Sequence, residues 1–186
     1  MRNLRIPIVI AVFVAVLAGG LGLRHIYLEK RVIDPLIQAT GALPGVAWTK
    51  IVDRGDGSKE LWMALQKGAE LDEAYPEVEA LARASLGSSL RGVVVVDNPN
   101  PRLQEVYHRI HYTVHEALLT GRFAWMADEI EQALRSEEGI THRVVVGDRH
   151  LFVQLQEGDA ELLRVLPRTT SLLALEDGGA RGDVRW

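Results

Sequence analysis

The chain has 186 residues and contains no cysteine. This absence excludes disulfide bonds, thiolate metal ligands and cysteine nucleophiles, and it leaves the redox compartment undetermined. The sequence also lacks G-x-S-x-G, S-x-x-K, a P-loop and G-x-G-x-x-G. These patterns mark serine hydrolases, penicillin-binding proteins, nucleotide-binding proteins and dinucleotide-binding proteins. The sequence therefore favours a role other than catalysis.

An excess of basic side chains is also missing. The chain has 21 lysines and arginines against 25 aspartates and glutamates, and its formal net charge is −4. No basic cluster with interleaved aromatic residues is present. Because a negatively charged surface repels a phosphate backbone, we expect no binding to nucleic acid.

A long uncharged segment lies near the start of the chain. Ile6 to Leu23 spans 18 residues without a charged side chain, between Arg5 and Arg24. At ~1.5 Å per residue, a helix of this length reaches roughly 27 Å, which is enough to cross a thin hydrocarbon core. The sequence therefore predicts a transmembrane signal anchor over residues 1–23, of a bacterial kind, that makes the chain a single-pass protein of the cell membrane.

Two questions about this segment stay open. The alternative to an anchor is a cleaved leader, with Val16 and Ala18 in the small positions of a cleavage site. Apolar residues that continue to Leu23 favour the anchor. The positive-inside count does not decide the orientation, but a short basic tail before an export-like apolar run favours an extracytoplasmic position for the rest of the chain.

The remaining sequence predicts one α+β domain. Residues 24–45 are expected to form a juxtamembrane stalk and linker, residues 46–167 the domain, and residues 168–186 a disordered tail. The hydrophobic patterns give two strands, a helix, a strand, two helices and three strands, which together predict one small mixed sheet packed with about three helices. Four consecutive valines at 93–96 predict a central strand that is buried on both faces.

Proline, asparagine and glycine mark the ends of the predicted helices. Pro76 stands where a first helical turn begins, and Gly87 follows the last residue of that helix. Asn100 is the predicted N-cap of the longest helix, with Pro101 in its first position. Gly121 is predicted to end it.

This longest helix contains three histidines, His108, His111 and His115. On a helical wheel that places Leu103 at zero, they lie at about 80 to 140°, at the border of the apolar face. His111 and His115 have the i, i+4 spacing with which zincin helices bind zinc, so they are candidate ligands of a divalent metal. His108 is a third candidate, although about 10.5 Å along the axis separates it from His115.

Several alternatives remain for the three histidines. Tyr112 follows His111 where a zincin has glutamate, so the general base of that family is missing. A complete metal site would need further ligands, for which His142 and His150 are the other histidine candidates. The histidines are otherwise ordinary amphipathic residues at the edge of a core, which is the favoured interpretation, or a proton-sensing face on which adjacent imidazoles disfavour joint protonation.

Asp97 is a possible ligand site. It follows the valine-rich strand and precedes a helix, a position at which open α/β sheets bind ligands. In the alternative that we favour, the Asp and Asn side chains of residues 97–100 accept hydrogen bonds from backbone amides in a turn.

Together these features predict a single-pass, membrane-anchored protein of unassigned role. It would present a small α+β domain at the cell envelope for contact with an unidentified protein partner, without a cofactor. The alternative is a metal-binding protein or a metal-dependent hydrolase that uses His111 and His115.

Overall fold

A computed structural model describes Phe13 and residues 32–168. Most of the predicted anchor, the first part of the predicted stalk and the predicted tail beyond Arg168 lie outside these residues. The described part forms two compact units: residues 32–69 with 73–94 make unit 1, and residues 70–72 with 95–168 make unit 2. None of the helices described is both long and apolar enough to cross a membrane.

Helices and strands both contribute to the fold, so the prediction of an α+β class is confirmed. The structure describes four α-helices: α1 Asp34–Gly41, α2 Leu71–Leu86, α3 Pro101–Thr120 and α4 Phe123–Leu134. The strands of the described part are β1 Val46–Asp53, β2 Lys59–Leu65, β3 Leu90–Val95, β4 Thr141–Val146, β5 His150–Glu157 and β6 Ala160–Pro167.

The strands form two three-stranded sheets, in the orders β1-β2-β3 and β4-β5-β6. The prediction of one mixed sheet is therefore wrong. The expected central strand is also wrong, because β3 is an edge strand and its valines are only half-buried. A run of β-branched residues suits any partly buried pleated surface, so it identifies a strand without identifying the neighbours of that strand.

Helix α1 lies inside the segment that the sequence assigns to the stalk and linker. Its residue Thr40 is fully buried, and the Oγ1 atoms of Thr40 and Thr49 on β1 are 2.7 Å apart in a hydrogen bond. The small residues that follow Ala39 therefore end a helix that packs on the sheet of unit 1.

Helix α2 begins five residues before the predicted start at Pro76. Leu71 and Tyr75 are buried and extend its apolar face toward the N-terminus. Pro76 consequently lies inside the helix, where burial of these side chains offsets the backbone hydrogen bond that proline cannot donate. Gly87 follows the last residue with a φ of 54°, as predicted.

Unit 2 has its core between α3, α4 and the second sheet. The helices contribute a buried stripe at helical spacing, and the sheet contributes alternate side chains of β5 together with one from β6: Leu103, Val106, Ile110, Val114, Ala117, Met126, Ile130, Leu134, Leu151, Val153, Leu155 and Leu162. The β4-β5-β6 meander is antiparallel, as predicted.

Both predicted ends of α3 are confirmed. The Asn100 side chain accepts a hydrogen bond from the backbone N–H of Leu103 at 2.8 Å, and Pro101 occupies the first helical position. At the other end, Gly121 adopts a left-handed φ of 73°, and its N–H donates to the carbonyl oxygen of Ala117. These caps fix where α3 begins and ends, and its apolar stripe sets the side that faces the core.

Candidate functional site

The solvent-facing side of α3 carries a row of side chains that contains no Asp, Glu, Lys or Arg. His108, Tyr112, His115 and Leu119 follow one another at steps of four, three and four residues, and all of them are exposed. Tyr112 is 70% exposed and Leu119 is 78% exposed. We call these four residues the outer face of α3, because they lie opposite the buried stripe of the same helix.

Aromatic rings lie close together along this surface. The ring centroids of His108 and His111 are 4.9 Å apart and stacked, and those of His111 and Tyr112 are 3.8 Å apart. His111 Nδ1 lies 2.5 Å from the carbonyl oxygen of His108. Because a carbonyl only accepts, Nδ1 carries the proton and donates, which holds the half-buried His111 ring against the helix.

The three histidines differ in their surroundings. His111 is half-buried at the edge of the core, where the helical wheel places it, whereas His108 and His115 point to solvent. The ring centroids of His111 and His115 are 6.2 Å apart and roughly perpendicular. Among the described residues, no three His, Asp or Glu side chains form a group that could hold a metal ion.

The other two candidate histidines have neighbours of their own. His142 Nε2 lies 3.4 Å from a carboxylate oxygen of Glu131. The His150 ring lies 6.0 Å from that of Phe152. The described part of the chain thus brings neither of them into a set of ligands with His111.

Charged side chains border the outer face. Glu105 lies three residues before it and Arg122 three residues after it, while Arg109 and Glu116 lie along one flank. Arg122 Nη1 is 3.3 Å from a Glu116 carboxylate oxygen, and its guanidinium lies 4.5 Å from the centre of the Trp125 ring. The outer face is therefore an apolar and imidazole-rich strip with carboxylate and guanidinium groups only at its margins.

A network of ion pairs holds α3 in place within unit 2. Glu137 accepts hydrogen bonds from Arg109 and from Arg102, the latter at 3.1 Å. Glu157 accepts from Asn100 Nδ2 at 2.7 Å and also from Arg102. The pKa of Glu137 is lowered, mainly by the hydrogen bond from Arg109. The pKa of Glu157 is also lowered, mainly by the hydrogen bond from Asn100.

Asp97 accepts hydrogen bonds from the backbone and from a side chain of β6. Its Oδ2 accepts from the N–H of Leu163 at 3.1 Å and from Arg164 Nη1 at 2.5 Å. This geometry agrees with the alternative in which Asp97 satisfies a backbone amide, although the amide belongs to β6 and not to the turn. Asn98 and Glu161 add a pair of backbone hydrogen bonds beside it.

The surroundings of Asp97 are partly buried and charged. Burial is the main cause that raises the pKa of Glu161, and the nearby Asp97 charge adds to it. The Arg164 guanidinium lies 5.5 Å from the centre of the Tyr107 ring, and burial raises the pKa of this tyrosine. These groups fasten the segment after β3 to the edge of the second sheet.

Unit 1 contains a shallow apolar cleft of about 330 Å³. It is lined by Val32 and by residues of α1 and α2: Pro35, Leu36, Ala39, Leu81 and Ser85. None of these described lining residues has a titratable side chain. The cleft has room for an apolar group.

Comparison of the chain with protein-family models, with curated proteins and with solved structures gives no match. The candidate site is therefore defined by the residues of this chain. Sequence reasoning identified the histidines but missed Tyr112 and Leu119 as parts of the same surface. The signal that could have found them is the four-three-four spacing of residues 108, 112, 115 and 119.

Proposed function

We propose that this chain is a single-pass, membrane-anchored protein that acts by contact, with the outer face of α3 as its docking surface for a partner protein. The exposure of Tyr112 and Leu119, at 70% and 78%, carries the proposal. Large apolar side chains that stay in water without covering a core are typical of interaction sites, and tyrosine is enriched among residues that dominate binding energy.

The rest of α3 supports a binding role for this surface. The helix is capped at both ends, its opposite side lies in the core, and Arg102 and Arg109 tie it to Glu137. A surface that is already ordered loses little conformational freedom on binding. The outer face is thus suited to dock a partner without rearrangement of its backbone.

The uncharged segment from Ile6 to Leu23 supports the membrane part of the proposal. An anchor would keep the two compact units beside the bilayer, outside the cytoplasm, and would raise the local concentration of the chain relative to other membrane proteins. Modest affinity at the outer face would then suffice for function.

A site-specific photo-crosslinker tests the docking surface. We would place it at Tyr112 in the full-length chain, and at the exposed Glu129 of α4 as a matched control. After irradiation of intact cells, we expect a covalent adduct with a protein from position 112 and none from position 129. Absence of any adduct at Tyr112 would reject the docking surface.

Extraction without detergent tests the anchor. We expect the unprocessed chain to stay with the membrane fraction after an alkaline carbonate wash, and protease added outside intact cells to digest the described units. Release of the full-length chain into the soluble fraction would reject the anchor, and complete protection from protease would reverse the orientation.

The metal-dependent alternative is less well supported. His111 and His115 could supply two ligands, but a stable zinc site needs three or four, and the described residues do not complete the set. Metal analysis of the purified full-length chain, with His111→Ala as the control, addresses it directly. A stoichiometric metal that disappears in the variant would favour this alternative over docking.

A further inference from the structure

We propose that one side of the first sheet, β1-β2-β3, rests on the surface of the bilayer and contacts its anionic headgroups. This inference rests on the proposed membrane anchor and specifies which part of the chain the lipid contacts. It concerns unit 1 and uses none of the residues of the outer face of α3.

The two sides of the β1-β2 hairpin differ in burial. On one side, Thr49 bonds to Thr40 of α1, and Leu61 and Met63 are fully buried. The opposite side, which we call the tryptophan side, consists of alternate residues of the two strands: Trp48, Lys50, Val52, Glu60, Trp62 and Ala64. Trp48 is 44% exposed, and Lys50 is exposed as well.

A β-bulge turns Trp48 toward solvent. Val46 pairs with Leu65 and Trp48 pairs with Ala64, so Ala47 is an extra residue of β1. In a regular strand, residues two apart point to the same side, and Trp48 would follow the buried Val46 into the core. Because burial of an indole would stabilise the unit, a bulge that exposes it favours a role for Trp48 outside the core.

The register of the hairpin places two indoles and an ammonium group on one surface. Lys50 lies directly opposite Trp62, and Trp48 lies diagonally across from Trp62. Such neighbours on one side of an antiparallel pair are within about 8 Å of each other. Tryptophan is enriched where a membrane meets water, because its ring is apolar and its N–H is polar.

The first sheet carries a charge opposite in sign to that of the whole chain. Its strands and hairpin turn contain four basic and three acidic side chains, whereas the chain has a formal net charge of −4. Glu60, the carboxylate of the tryptophan side, is 7% exposed and pairs with Arg54 and Arg91. The side chains of these arginines are 43% and 64% exposed. Basic groups thus reach solvent where the carboxylate does not.

The other two carboxylates belong to the end of the hairpin. Asp53 pairs with Lys59 at 2.6 Å, and Asp56 accepts hydrogen bonds from the N–H and the hydroxyl of Ser58. The exposed charge beside Trp48 is therefore that of Lys50, with the two arginines nearer the hairpin turn. Basic groups beside exposed tryptophan are suited to a layer of anionic headgroups.

The place of the anchor in the sequence favours lipid as the occupant of this surface. Leu23, the last residue of the proposed anchor, precedes Val32 of unit 1 by nine residues. Nine residues reach at most roughly 32 Å. An anchor would therefore present unit 1 to the headgroups at a high effective concentration, at which weak contact suffices.

A spin label on the full-length chain in vesicles tests the contact. The chain lacks cysteine, so Ala64→Cys places one label on the tryptophan side, opposite Trp48, without a change of charge. Gln38→Cys places a control label on an exposed position of α1, which packs on the other side of β1. The measurement compares collisions with oxygen, which is concentrated in lipid, and with a water-soluble nickel chelate.

The lipid composition separates contact with headgroups from simple shielding of the label by its protein neighbours. In vesicles of equal parts phosphatidylcholine and phosphatidylglycerol, we expect the label at position 64 to collide more with oxygen and less with the chelate than in phosphatidylcholine alone. The label at position 38 is expected to be the same in both. No difference at position 64, or a difference at position 38 only, would overturn the proposal.

Removal of one positive charge gives a second test. Lys50→Gln is expected to weaken the contact of the labelled chain about fivefold in the anionic vesicles. Lys50→Arg should retain the contact, and Lys67→Gln, which removes the same charge outside the tryptophan side, should leave it nearly unchanged. Equal contact in Lys50→Gln and in the parent chain would overturn the role of charge in the proposal.

Trp48 supplies the test against a protein occupant. A photo-crosslinker in place of Trp48 is expected to form adducts with lipid in cell membranes, and adducts with protein alone would overturn the proposal. Because Trp48 is exposed, we expect its replacement to leave unit 1 folded, which hydrogen exchange at the buried Leu61 amide would verify.

This inference and the proposed function fail in different ways. If the chain resists the carbonate wash but the label at position 64 stays equally open to the chelate in both lipids, the headgroup contact is rejected and the anchor remains. If carbonate releases the chain but the label contacts lipid before the wash, the anchor is rejected and the contact remains. The crosslinker at Tyr112 tests the docking surface independently of both.

Discussion

Asp97 gives the sharpest test of whether the segment after β3 is structural or binds a ligand. In Asp97→Ala, the N–H of Leu163 loses its acceptor, which lies 3.1 Å away in the parent chain. Leu163 is 2% exposed and belongs to the edge strand β6, so neither water nor another strand replaces the carboxylate. An unsatisfied buried donor costs about 1 to 3 kcal/mol.

Arg164, the second partner of Asp97, adds less to the expected loss in the free energy of unfolding. The Arg164 side chain is 37% exposed, so water can solvate its guanidinium after the substitution and its ion pair contributes little. We therefore expect Asp97→Ala to lower the free energy of unfolding of unit 2 by about 2 kcal/mol. This change corresponds to roughly thirtyfold faster exchange of amides that exchange through opening of the unit.

Hydrogen exchange of the full-length protein in detergent measures this effect at the Leu163 amide. Asp97→Asn serves as the control, because it keeps an oxygen acceptor for Leu163 and removes only the charge that Arg164 pairs with. We expect its exchange to lie between those of the parent and of Asp97→Ala. If exchange at Leu163 in Asp97→Ala stays within about twofold of the parent, the carboxylate does not hold the edge of β6 and the ligand hypothesis for Asp97 regains support.

Other substitutions probe the core, the turns and the ion pairs. Leu155→Ala should lower the free energy of unfolding by about 2 to 5 kcal/mol because Leu155 is fully buried, whereas Leu119→Ala should change it by less than about 0.5 kcal/mol; urea denaturation compares them. Gly45→Ala should be more harmful than Gly121→Ala in thermal denaturation, because both residues have positive φ but only at Gly45 would the new Cβ meet another atom, at 3.0 Å. The pKa of Glu137 is lowered below the usual 4.5, chiefly by a hydrogen bond from an arginine. Its contribution to stability is thus present at neutral pH and is lost as the pH falls through the lowered pKa, and Glu137→Gln should reduce this loss in acid denaturation.

Local rules predicted most of the helices and strands from the sequence. The ends of α3 follow from Asn100, Pro101 and Gly121, whose conformational preferences act within a single turn. The same kind of rule failed at Pro76, because the position of α2 depends on whether Leu71 and Tyr75 become buried. Burial is decided by the whole unit, and a local pattern does not contain that information.

The arrangement of the strands could not be predicted for a related reason. The alternation of β1 and β2 identifies a hairpin, but the valines of β3 fit an edge as well as a centre. The two helices α3 and α4 separate β3 from β4 in the chain, and each set of three strands closes on its own. The sequence distinguishes strands from helices more readily than it distinguishes one sheet from two.

The candidate site was partly visible in the sequence because one helix carries two patterns. The helical wheel that identifies the buried stripe of α3 also defines the opposite side of the helix. The histidines on that helix were interpreted as metal ligands, and Tyr112 and Leu119 were not included in the candidate site. With Tyr112 and Leu119 added, the histidines become parts of the proposed docking surface. A polar side chain inside an interface discriminates between partners, because a partner that leaves it without a hydrogen bond is disfavoured. An outer face of leucines alone would bind apolar partners with less discrimination, so in the proposed docking surface the histidines supply specificity.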